Sequence, residues 1–149
     1  MEDRLGKQLA FAAKAARAEF DQALVGIGSS FHTYLVLRHV DLFPGVTQRE
    51  LAQRLGIEGP TLTHHLDRLC GDGLVERVRG QDDRRTSSTI LTAAGRAHLR
   101  RAVRCADRLD ADFRALFSPP ELQVLEGCLQ RVIDHYGRTG LEDDRARRG

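Results

Sequence analysis

The sequence predicts a mainly α-helical fold carrying a small β-hairpin, on three observations. Aromatic residues make up only 5% of the chain, with no Trp, while Ala, Leu and Arg are common, which favours helix packing over a sheet sandwich. Two stretches, Thr47-x-x-Glu50 and Ser118-Pro119-Pro120-Glu121, carry the spacing with which a hydroxyl and a carboxylate satisfy the free N–H groups of a helix start. Between them, LVERVR and TSSTIL are short runs of strand-forming residues on either side of the turn-forming GQDDRR.

Residues 5–25 read as an Ala-rich helix with Leu9, Ala12, Phe20 and Leu24 inward. Gly26 and Gly28 interrupt it. Ser29 or Ser30 caps a second helix that runs to about Phe43, where Pro44 and Gly45 stop it. Thr47 and Glu50 open a third, short helix with Leu51, Ala52 and Leu55 on one face, ended by Gly56, a residue free to take positive φ. A fourth begins near Pro60, whose missing N–H costs nothing at a first helical position. Its Leu62, Leu66 and Leu69 form an inward face and leave Thr61, Thr63, His64, Asp67 and Arg68 outward.

A short helix, a tight turn and a second helix, with small Ala52 and Gly56 where the two must cross, make a helix-turn-helix. A helix of this width fits the DNA major groove, and Thr, His and Arg side chains donate to phosphates or base edges. The hairpin after it carries Arg84 and Arg85 near its tip, where a narrow minor groove favours arginine. Asp83 stands two residues from Arg85, close enough to orient it through a carboxylate–guanidinium pair. The expected DNA-contacting set is therefore Thr61, Thr63, His64, Asp67, Arg68, Asp83, Arg84 and Arg85, within a unit spanning residues 46–92. The neighbouring pair His64-His65 further predicts DNA binding that tightens at mildly acidic pH.

The order ELAQRLG, TLTHHLDRLCGDGLVER and DDRRTSSTILTAAG resembles the winged helix-turn-helix of the MarR family of bacterial transcriptional regulators. Asp83-x-Arg85, followed by Leu91-Thr92 and Gly95, is the more specific part of the resemblance. It implies a homodimeric DNA-binding protein, usually a repressor, often released by a small ligand or by oxidation. It also implies an effector pocket where the dimer helices meet the winged unit. Phe20, His32, Val36 and His39 are the residues expected there, with a small aromatic or anionic molecule as effector. The family's peroxide-sensing branch keeps its reactive cysteine in the first helix, and this chain has none there.

Thr92 caps a long, Arg-rich helix from Ala93 to about Leu116, and Ser118 caps the last one. That last helix carries Leu122, Leu125, Leu129, Val132 and Tyr136 in a stripe too large for the winged unit to cover together with the first helix. Residues 5–25 and 118–137 are accordingly expected to be dimerisation helices. Two copies would present their reading helices about 34–36 Å apart, matching an inverted-repeat operator in double-stranded DNA.

The 149 residues suit a single domain, 1–149. The formal charge of +2 is uninformative, but residues 46–104 hold eleven arginines against seven acidic groups, a local excess of +4 suited to a polyanion. No apolar run approaches the roughly 20 residues that span a bilayer, and Met1-Glu2-Asp3 does not begin a secretion signal. A cytoplasmic protein with no membrane partner is expected. Cys70, Cys105 and Cys128 are odd in number and far apart, so no disulfide framework is expected. No cofactor, no metal cluster and no catalytic residue is expected either, since G-x-S-x-G, H-E-x-x-H and a phosphate-binding glycine loop are all missing. The reading is a sequence-specific transcriptional regulator. A winged-helix protein-interaction scaffold or a redox-responsive regulator is the alternative.

Overall fold

A computed structural model describes residues 4–79 and 87–136. Six helices and one hairpin follow in the order α1 (Leu5–Val25), α2 (Phe31–Leu42), α3 (Gln48–Leu55), α4 (Gly59–Gly71), β1 (Val75–Arg79), β2 (Ser87–Leu91), α5 (Ala93–Arg114) and α6 (Pro119–Tyr136). The expected mainly helical fold with a hairpin is present. Among the described residues, no helix is long and apolar enough to cross a membrane.

Local chemistry sets the helix ends. Ser30 caps α2 by accepting from the Thr33 N–H, and Thr92 caps α5 by accepting from the Gly95 N–H. At α6, both the N–H and the hydroxyl of Ser118 donate to the Glu121 carboxylate, at 2.8 and 2.7 Å. α4 starts one residue before the expected position. Glu58 is extended and its carbonyl accepts from the Leu62 N–H, so Gly59 is the first helical residue and Pro60 the second, where its missing donor is equally harmless. α5 ends at Arg114, two residues short of the expected Leu116.

Twelve buried residues form the main core. Val36, Leu37 and Val40 of α2 meet Leu51 and Ala52 of α3, Leu62, Leu66 and Leu69 of α4, Val75 and Leu91 of the hairpin, Leu99 of α5, and Val46 from the loop. Burial of each leucine side chain contributes about 1.5–3 kcal/mol. The strands pair antiparallel from Val75↔Leu91 to Arg79↔Ser87. A further bridge, Thr47↔Ser88, and a Thr89 N–H to Val46 carbonyl bond of 3.3 Å tie β2 to the chain just before α3. The hairpin is thus fixed beside the helix-turn-helix along β2.

Away from this core the packing thins. A smaller cluster joins Leu24 of α1 to Ala102 and Cys105 of α5. Leu24 is the sole buried residue of α1 among those described. Leu9 and Phe20 are half-buried, and Ala12, expected inward, is exposed because nothing covers that part of the helix. α6 buries no residue at all. Its middle is tied to the end of α5 by Arg114, which reaches Glu126 at 2.8 Å as well as Asp110 at 2.7 Å.

Candidate nucleic-acid interface

The reading unit is built on α3. Thr47 accepts from the Glu50 N–H at 3.2 Å, and the Glu50 carboxylate accepts from the Thr47 N–H at 2.9 Å. The Thr47 N–H and then the Thr47 hydroxyl, which donates to the same carboxylate at 2.8 Å, hold the Glu50 carboxyl below the usual carboxylate range. At the other end Gly56 takes φ +63°, and its N–H returns to the Ala52 and Gln53 carbonyls. The chain then has room to turn directly into α4.

On α4 the leucines at 62, 66 and 69 are 0–2% exposed, so rotation of this helix about its axis is fixed. Thr61, Thr63, His64, Asp67 and Arg68 are all exposed. Thr61 and His64 face solvent. The Thr63 hydroxyl donates to the Gly59 carbonyl at 3.0 Å and accepts a short bond from the Gln48 amide of α3, which brings Gln48 to the same surface. An open groove of about 760 Å³ runs between α3, α4 and β2, lined by Gln48, Arg49, Thr63 and Ser87 among others. Gln48 and Arg49 went unnoticed in the sequence because α3 reads there as a supporting helix.

Two members of the expected set are engaged inside the protein. The Asp67 carboxylate is paired through Oδ1 with Arg77 of β1 at 2.7 Å, so this exposed side chain also braces the hairpin. Arg68 leans back to α2, its guanidinium 3.4 Å from the Thr33 hydroxyl. Asp83, Arg84 and Arg85 lie outside the described residues.

The expected effector residues separate into two places. His32 and Val36 line a small pocket of about 170 Å³ together with Arg17, Leu55, Ile57 and His65. Phe20 and His39 do not reach it. The Phe20 ring packs on Phe31 and Phe113, with centroids 5.0 and 6.4 Å away. His39 is buried, its Nδ1 2.9 Å from the Leu35 carbonyl and its ring against Phe43. Seven residues along a helix is a rise of about 10 Å, so sharing a face with His32 does not place His39 in the same pocket.

The pocket is electrostatically distinctive. Arg17 lies 2.8 Å from His32 Nδ1, 3.2 Å from Asp21, and over the Phe31 ring at 4.5 Å. His32 stacks on His65 of α4 with centroids 5.3 Å apart. Burial, then Arg17, push the His32 imidazole below its ordinary pKa; burial, then His32 itself, do the same to His65. Asp21 is held below the carboxylate range chiefly by the Phe31 N–H, which donates to it at 2.8 Å. Among the described residues no group of three or more His, Cys, Asp or Glu could hold a metal.

A helix-turn-helix with an outward Thr and His surface, and a hairpin braced against it, defines a winged-helix DNA-binding protein. Comparison with known proteins gives the family. A model of the MarR family matches residues 27–86. The transcriptional repressor CouR, solved bound to a 23-mer DNA duplex, is 32% identical, with 87% of this chain and 92% of that one aligned at a TM-score of 0.82. A probable transcriptional regulator from Pseudomonas aeruginosa is 27% identical over 88% and 98% of the two chains, with a TM-score of 0.80. The PcaV transcriptional regulator from Streptomyces coelicolor, solved with its natural ligand, is 25% identical over 90% and 97%, with a TM-score of 0.75. The chain belongs to the MarR family of transcriptional regulators.

Proposed function

We propose that this protein is a homodimeric repressor that binds an inverted-repeat operator through residues 46–92 and is released by a small ligand. The observation that carries the proposal is the surface shared by α3, α4 and β2: Thr61, Thr63 and His64 outward on a helix whose opposite face is locked in the core, with Gln48 and Arg49 beside them. Thr and His suit base edges and phosphates alike, and Arg49 suits the phosphate backbone. Arg84 and Arg85 are assigned to the minor groove on their sequence motif. Asp67 is a positioning residue, acting through Arg77.

Helices 5–25 and 118–137 are the dimerisation helices of this proposal, within a single domain of 1–149. Support comes from the apolar side chains they leave exposed, among them Leu5, Phe11, Val124 and Tyr136. The effector pocket is the one between Arg17, His32, Val36 and His65, whose arginine and paired imidazoles suit a small anion with an apolar or aromatic body. Such a ligand would bear on α4 through His65. A cytoplasmic location and the lack of catalytic activity are parts of the same reading.

The experiment is a selection of bound fragments from the source genome followed by a salt titration on the recovered duplex. Affinity that falls steeply with salt, and a footprint of two half-sites about one helical turn apart, are expected. Failure to bind any duplex at low salt would remove the proposal.

A further inference from the structure

We propose that the crevice between α2 and the first half of α5 is a second binding site, for a small multivalent anion of the class of pyrophosphate and phosphorylated metabolites. The crevice encloses about 420 Å³ and is lined by Arg38 and Asp41 of α2 and by Arg96, Leu99, Arg100, Val103 and Arg104 of α5. That volume lies within the range of small-molecule sites. It shares no residue with the groove of the reading unit or with the His32 pocket.

The charge arrangement selects the ligand. Arg96, Arg100 and Arg104 are spaced four apart, so their guanidiniums rise along one face of α5, where like charges at this spacing repel. Arg38, across the crevice, is already engaged within the protein, with Asp41 4.0 Å away, so the charge left to a ligand is that of Arg96, Arg100 and Arg104 on α5. Arg96 is anchored through one nitrogen, donating to the Leu91 carbonyl at 2.9 Å, which leaves the rest of its planar fork to a ligand. A monoanion would leave most of this charge uncompensated, whereas a diphosphate offers several oxygens to parallel N–H pairs. Leu99, 4% exposed, and half-buried Val103 form an apolar floor between the arginines. A ligand with a phosphorylated end and an apolar or planar part fits both features.

Position gives the site a consequence. α2 contributes three residues to the core of the reading unit, and α5 runs from the hairpin toward α1 and α6. A ligand gripping both helices ties the reading unit to the rest of the chain.

The test is calorimetric titration of the full chain with inorganic pyrophosphate, without DNA. Saturable binding at one site per chain is expected, weakened about tenfold or more by Arg100→Ala with Arg104→Ala. Both residues are exposed, and unchanged circular dichroism is expected to show that the variant folds. Arg100→Lys with Arg104→Lys, which keeps the charge and loses the fork, should fall between. Arg108→Ala, on the same helix outside the crevice, should bind as the parent does. No saturable binding, or equal weakening by Arg108→Ala, overturns the proposal. It is also overturned if pyrophosphate does not bind and the double Ala variant instead loses duplex affinity, because the crevice would then be a DNA-backbone contact.

Discussion

The Arg77 guanidinium of β1 lies 2.7 Å from the Asp67 carboxylate of α4, ten residues earlier in the chain and on a different element. The pair links the hairpin to the reading helix through side chains. Both side chains are partly exposed, 34% for Arg77 and 58% for Asp67, so solvent screens the attraction and its stabilisation is at most about 1 kcal/mol. Its value is geometric. Asp67→Asn should leave the melting temperature nearly unchanged, yet narrow the ratio of operator to random-duplex affinity. The loss of a negative charge favours any duplex, while the hairpin loses its brace. A ratio equal to that of the parent would show that the pair has no part in recognition.

Gly95 stands where the Leu91-Thr92-x-x-Gly95 stretch leaves no room for a side chain. A Cβ at Gly95 would stand 1.9 Å from the Leu74 carbonyl oxygen. Thr92 fastens the same junction: its N–H donates to the Leu74 carbonyl at 3.1 Å, and its hydroxyl donates to the Gly73 carbonyl at 2.6 Å. α5 therefore starts in backbone contact with the end of the α4–β1 turn, and only a residue without a side chain fits. Gly95→Ala is expected to cost about 3 kcal/mol in urea unfolding, since backbone must move apart to admit the methyl group. Gly71→Ala, where an added Cβ meets nothing within 4 Å, is the control and should lie within about 0.5 kcal/mol of the parent. Equal effects from the two would refute the close-approach account.

The stacked His32 and His65 rings are expected to make the protein less stable in acid. Both imidazoles are depressed below the ordinary 6.5, as is buried His98, chiefly by burial. Around the stack stand Arg17 and Asp21 of α1 and Arg68 and His64 of α4, so a proton added to the pair meets more cations than anions. A depressed histidine binds fewer protons folded than unfolded. Its contribution to stability is intact above the ordinary value, and is lost as pH falls from there through the folded value. The melting temperature should decline between about pH 7.5 and about pH 5.5, with a shallower slope in His32→Gln with His65→Gln. An unaltered slope would assign the acid sensitivity elsewhere. The sequence suggested that the His64-His65 pair strengthens DNA binding in acid. The stack takes His65 into a cationic cluster and leaves His64 as the exposed member of the pair.

What was legible in the sequence followed from interactions within a few residues. The Thr47–Glu50 box, the Ser118–Glu121 start, the Gly56 turn and the Leu62, Leu66, Leu69 face are all local, and each appears where its spacing indicates. Roles that depend on a distant partner were not legible. The pairing of Asp67 with Arg77 could not be read from the sequence because Arg77 is reached only after the chain turns back into the hairpin. His39 looked like a pocket residue because periodicity gives the face of a helix and not the depth along it. Arg17 and His65 join one pocket from α1 and α4, and nothing in either segment names the other.

α6 carries the remaining apolar surface, with Val124 66%, Leu129 42%, Val132 39% and Tyr136 77% exposed. Water on these side chains is unfavourable by about 25 cal/mol per Å², and a second copy offers the same stripe in return, as twofold symmetry requires. Since α6 supplies none of the buried core, acidic substitutions on it can disrupt dimerisation while the reading unit keeps its fold. Leu129→Glu with Val132→Glu is expected to sediment as a monomer with an unchanged helical spectrum. Its operator affinity should fall by about 10²-fold or more, because each half-site is then bound without its linked neighbour. Affinity for an isolated half-site should stay close to that of the parent. A double variant that remains a dimer, or a monomer that holds the full operator as tightly as the parent, would mean that α6 does not set the separation of the two reading helices.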